Sequence, residues 1–175
     1  MADSTIWVAA FAGGTAVLSS WVTSLGNARA ARVQAQASAR AQVDNQVREA
    51  RRAAYLAMIE QAHLIGELYW RLGDVYVHIS DPGDRLAQID RLRADLRDAY
   101  DPLMRCARVI ALEGPAKVAD AADAIRQGAM QANNAMARIS EGKERAREGF
   151  DAADRAFRLR VDAFIETAQA AMAGM

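Results

Sequence analysis

Apolar side chains recur every three or four residues through most of this chain, and that rhythm divides it into helices before any motif is sought. Tyr55, Met58, Ala62, Ile65, Tyr69, Leu72, Tyr76 and Ile79 alternate by three and four without a slip, which predicts a core helix from near Arg51 to Ile79 packed on other helices. Ile59, Leu68 and Val75 widen the stripe, so this helix should meet more than one neighbour. "SDPGD" at 80–84 supplies a turn, with proline fixing φ and glycine permitting positive φ.

A second seam follows in Ile89, Leu92, Leu96, Ala99, Leu103, Cys106 and Ile110, which places the lone thiol in the core. Asp101-Pro102 interrupts it, either as a kink within one helix or as the cap and first turn of a new one. Gly114 suits a helix end and Pro115 the first turn of the next helix, whose seam is Val118, Ala122, Ile125, Ala129, Ala132, Met136 and Ile139. The last seam, Phe150, Ala153, Phe157, Val161, Phe164, Ala168 and Met172, carries three of the four phenylalanines. Without a break, the stretch from Pro115 to Ala173 would form a helix about 88 Å long at ~1.5 Å per residue, leaving Phe157 and Phe164 without a partner. A turn at "SEGK", 140–143, instead gives four helices of similar length in up-down-up-down order.

The first 28 residues break the rhythm. Ser4 to Ala28 holds no charged residue, and the 22 positions from Thr5 to Gly26 are enough to cross a hydrocarbon layer of about 30 Å. Six hydroxyl residues and three glycines dilute the apolarity, yet a spanning helix tolerates both because its backbone hydrogen bonds are complete. Asp3 stands on one flank and Arg29, Arg32 and Arg40 on the other, so the positive-inside tendency directs the long carboxyl part to the cytoplasm. Trp7 and Trp21 are spaced to lie toward the two interfacial belts. The preferred reading is a single-pass anchor in the inner (plasma) membrane; a helix packed inside an oligomer and a cleaved signal ending at "NARA" are the competing ones. Ala9 with Gly13, and Ala10 with Gly14, give the small-xxx-small spacing that lets two membrane helices approach, which marks Gly13 and Gly14 as candidate interaction positions. Residues 29–52 carry six arginines against Asp44 and Glu49 and lack an apolar stripe, which suits a helical stalk near anionic headgroups or a solvated extension. The organisation expected is therefore all-α: a membrane-spanning anchor over 1–28, a polar stalk over 29–52 and an antiparallel bundle over 53–175.

Composition reinforces the helical reading and narrows the chemistry. Alanine fills 40 of 175 positions and aromatics only 6%, a bias toward helix formers over β-branched residues. Twenty-two basic side chains balance 22 acidic ones, so no global charge points to nucleic acid, and none is expected as a partner. One cysteine rules out an intramolecular disulfide and a multi-thiolate zinc site. Glu60-x-x-His63 matches half of a di-iron carboxylate motif, but no second Glu-x-x-His exists; Asp74 and His78 sit four apart, a spacing for an intrahelical hydrogen bond. Phosphate-loop, serine-elbow and thiol-pair signatures are missing, so neither cofactor nor catalytic activity is expected. The most unusual patch is "ELYWRLGDVYVH" at 67–78, where Tyr69, Trp70 and Tyr76 form either a partner surface or the wide end of a core.

The order of features carries one resemblance. A short uncharged span, an Arg-rich exit, "RRAAYLAMIEQA", "VIALEGPAKVADAA" and "FRLRVDAFIETAQAAM" together resemble a loose group of small actinomycete proteins with one membrane span and a helical cytoplasmic part, some of them labelled as similar to the Kil-type proteins of conjugative plasmids. That resemblance implies a membrane-associated helical protein of a plasmid or other mobile element. Its partners would be the lipid bilayer and either a second copy or another helical protein. The alternative expectation is a soluble, self-assembling helical protein of a phage or mobile element.

Overall fold

The computed structural model describes the backbone of residues 3–174 and the side chains of residues 31–174. Four helices follow in order: α1 (Asp3–His78), α2 (Pro82–Glu113), α3 (Ala116–Ser140) and α4 (Ala146–Ala173). The chain divides into two units, Met1–Val47 and Arg48–Met175. In the first, residues 31–47 are helical and every side chain is exposed, Val33, Val43 and Val47 included. Among the described residues no helix is long and apolar enough to cross a membrane; the span expected over 5–26, with Gly13 and Gly14, lies outside the residues whose side chains are described.

The second unit is a four-helix up-down bundle. Its core is built from the predicted seams: Met58, Ile65, Leu72, Leu96, Leu103, Ile110, Ile125, Met136, Phe157 and Phe164 are all essentially inaccessible. Short connections force neighbouring helices antiparallel, and the ring closes where α1 meets α4 through edge-on aromatic pairs, Tyr55 with Phe164 and Tyr69 with Phe150 and Phe157. Such pairs contribute about 0.5–1.5 kcal/mol each beyond the area they bury.

Helix ends explain where the reading of the sequence holds and where it shifts. Asp81 caps α2, its Oδ1 accepting from the Asp84 amide at 2.9 Å, with Pro82 at the first helical position. α2 then runs unbroken through Pro102, so Asp101-Pro102 starts no new helix. Gly114 ends α2 in an extended conformation, not a left-handed one. Glycine fits there because a Cβ would lie 2.7 Å from the Ile110 carbonyl oxygen. Pro115 is the cap of α3 and not its first turn, its carbonyl accepting from the amides of Val118 and Ala119. The turn expected at 140–143 is present. The Gly142 amide donates to the Ile139 carbonyl and the Lys143 amide to the Arg138 carbonyl, with Gly142 at φ 65°, the paired closure of a Schellman motif. Cys106 is a correction: it is only half-buried, and Ala107 takes its place in the core. Leu103 before it and Ile110 after it on the same seam stay essentially inaccessible, so the departure is local to this position.

Candidate functional site

The aromatic patch at 67–78 splits between interior and surface because consecutive helical residues point about 100° apart. Tyr69 is 1% exposed, with its hydroxyl 2.8 Å from Asn133 Oδ1 and 2.9 Å from the Ala129 carbonyl on α3. One proton serves one acceptor at a time, so the hydroxyl pins α1 to α3 across the core. Burial pushes its pKa up strongly, and the nearby Asp154 carboxylate adds to the effect. Tyr76 is half-buried and held between two guanidinium groups, Arg147 at 4.6 Å and Arg85 at 5.1 Å from its ring centre. Arg85 also donates to the Ile79 carbonyl at 2.8 Å, so this cluster fastens the end of α1. Trp70 remains outside, 64% exposed. Of the three aromatic candidates, only Trp70 offers a broad face to a partner.

Beside Trp70 lies an open groove of about 400 Å³ between α1 and α4. Ala62, Gly66, Phe157 and Val161 form its apolar floor, with His63, Glu67, Arg158 and Asp162 on the rim. The rim charges are partly engaged: His63 Nε2 stands 3.5 Å from Glu67 Oε1, and Arg158 makes a two-armed contact with Asp154 at 2.9 and 3.2 Å. His63 thus associates with Glu67 and not with Glu60, and no bond joins Asp74 to His78. Among the described residues no group of three or more His, Cys, Asp or Glu converges on a metal position. A smaller cleft of about 170 Å³ between α2 and α3 is polar, lined by Arg93, Arg97, Asn133 and Asn134.

The groove also exposes a pattern that the reading of core seams passed over. Leu56, Ile59, His63, Gly66, Trp70, Gly73 and Val77 alternate by three and four exactly as the core residues do, but on the α4 side of α1 and facing outward. Leu56 is 51% and Val77 76% exposed. A Cβ on Gly66 would come no nearer than 4.0 Å to Phe157, and one on Gly73 would meet nothing within 4 Å. Neither glycine is required by packing within the chain, though each weakens a helix interior by about 1 kcal/mol relative to alanine. The signal was present in the sequence as a second alternation, masked by the stronger one beside it. No protein family, curated protein or solved structure matches this chain.

Proposed function

We propose that the protein is a non-catalytic helical interaction protein of a plasmid or other mobile element, held at the inner membrane by residues 5–26, with the bundle on the cytoplasmic side presenting the α1/α4 groove to a helical partner. The observation that carries this reading is Trp70, a large aromatic left 64% exposed at the mouth of an apolar groove. A surface indole next to a buried phenylalanine and a half-buried valine is the composition of an interface core, where aromatic anchors dominate binding. The uncharged run from Thr5 to Gly26 and the arginines that follow it support the membrane half of the reading.

Fractionation tests the first half: the full-length chain should stay in the membrane pellet through a carbonate wash, and quantitative release as intact protein sinks the anchor. A photo-crosslinking side chain tests the second. Placed at Trp70 it should give a discrete adduct in cells, while at Leu159, 70% exposed but outside the groove lining, it should give none. Equal labelling at the two positions refutes the groove as the docking face.

A further inference from the structure

We infer that the occupant of the α1/α4 groove is a second copy of this chain, paired in parallel and in register along Leu56, His63, Trp70 and Val77. The inference rests on the groove being a docking face and names its partner. Three observations converge on it.

The seam is self-complementary. In a parallel two-fold pair each central residue enters a hole lined by its own counterpart and by the seam residues four before and three after it on the other helix. For Trp70 those neighbours are Gly66 and Gly73 of the second copy, the two positions where a missing Cβ opens space that this chain does not fill. Each copy therefore carries both a projecting indole and the gap that receives one, and a two-fold axis along the helices exchanges them. This gives the two glycines a reason that packing within one bundle does not.

Charge agrees with the same orientation. Gly66 lies against Phe157, so Glu67 on α1 and Arg158 on α4 occupy the same level of the bundle. A second α1 lying parallel in the groove brings its Glu67 alongside Arg158, an acid against a base at the rim. An antiparallel helix in the same groove turns its row of Glu60, Glu67 and Asp74 toward the same row of its twin. Parallel pairing is thus the arrangement that the charges select.

The area is adequate. The exposed parts of Leu56, His63, Trp70 and Val77, counted on both copies, amount to on the order of 1,000 Å², the size at which a specific interface begins to be stable. Smaller flanking contributions from Val161 and the aliphatic stem of Arg158 add to it.

Single cysteines read both partner and register. In full-length chain carrying Cys106→Ser, Leu56→Cys and Val77→Cys should each form a disulfide with itself on mild oxidation, giving a covalent dimer on a non-reducing gel. An antiparallel pair that set Trp70 over Gly66 would hold the two 77 positions roughly 27 Å apart, at about 1.5 Å per residue, and in a mixture of Val77→Cys and Ile59→Cys chains would join 77 to 59 instead. Adding Trp70→Ala or Gly66→Leu should remove at least nine-tenths of the dimer while the bundle still melts cooperatively, and Gly66→Leu should melt no lower than the parent chain. A 77-to-59 product overturns the parallel register. Absence of any dimer, or a dimer indifferent to Trp70→Ala and Gly66→Leu, overturns self-pairing. If the position-70 adduct and carbonate-resistant membrane residence persist in that case, the groove serves a different protein and the interaction reading itself stands.

Discussion

Replacing Tyr69 by phenylalanine isolates the one hydroxyl that joins α1 to α3 through the core. The ring stays, so the edge-on contacts with Phe150 and Phe157, at 5.5 and 5.4 Å, are kept and no cavity opens. What is lost is the hydrogen bond to Asn133 or the Ala129 carbonyl. Asn133 is half-exposed and can turn to water, so the cost near neutral pH should be about 1 kcal/mol. At alkaline pH the comparison reverses. The folded-state pKa of Tyr69 is raised above its ordinary 10.0, because the buried phenolate would be stripped of water beside the Asp154 carboxylate. Above pH 10 the unfolded chain therefore releases a proton that the folded chain keeps. Folded wild-type protein begins to lose stability as pH reaches the unfolded value, and goes on losing it by about 1.4 kcal/mol per pH unit until the raised folded value is reached. One such group costs about 1.4 kcal/mol by pH 11, relative to neutral pH, and the phenylalanine variant is spared that term. The two stability curves should cross at about pH 10.7, the other tyrosines contributing equally to both. Urea unfolding followed by circular dichroism at pH 7, 9, 10 and 11 measures this. If the variant trails wild type by the same margin at pH 11 as at pH 7, the burial argument for this hydroxyl fails.

Other substitutions probe the glycines, a cap and the thiol. Gly128 is buried against α4, and a Cβ there would stand 2.8 Å from Arg160 Nη1, 3.1 Å from its Cδ and 3.4 Å from Phe157. Gly128→Val should therefore destabilise the bundle by about 1–3 kcal/mol in urea titrations, whereas Gly73→Ala, in open space, should stabilise it by about 1 kcal/mol. Asp81→Ala removes the side-chain acceptor at the start of α2 and should cost about 1 kcal/mol, read as a lower thermal midpoint. Burial raises the pKa of the Cys106 thiol, with the Arg105 charge opposing it in part. Its alkylation by iodoacetamide at pH 8 should run several-fold slower than that of a free thiol, and should recover the free-thiol rate in denaturant.

Helix number, order and core were legible because apolar spacing is a direct projection of packing: residues three and four apart share a face whatever surrounds them. The core list for Val118 through Met136 needed nothing more than that, and neither did Phe150, Phe157 and Phe164, with Ala153 and Val161 between them half-buried. Helix ends were less legible, since one residue decides them and several physical reasons compete. Gly114 marked a helix end and is one, but its reason, a close approach of backbone to the Ile110 carbonyl, could not be read from spacing. Cys106 followed the seam and still stands half out of the core, between Leu103 and Ile110 that stay inside it, because spacing marks a face and not how fully neighbouring helices cover each position on it. Trp70 and Tyr69 are adjacent in the chain and opposite in fate. Only coordinates show that α4 covers the tyrosine and stops short of the tryptophan.

Closure of the ring between α1 and α4 also sets an order of events in time. Phe157 follows Tyr69 by 88 positions, so when α1 leaves the ribosome the nearest of its aromatic partners on α4 is still far from synthesis. At about 5–20 residues per second, the apolar face of α1 waits roughly 5–20 s for α4 to be synthesised. The hairpins of α2 with α3 and of α3 with α4 close over short connections and form as soon as they emerge. During synthesis α1 is thus the element on offer, to chaperones, to a bilayer or to a neighbouring nascent chain on the same message, and the completed bundle is what withdraws the offer.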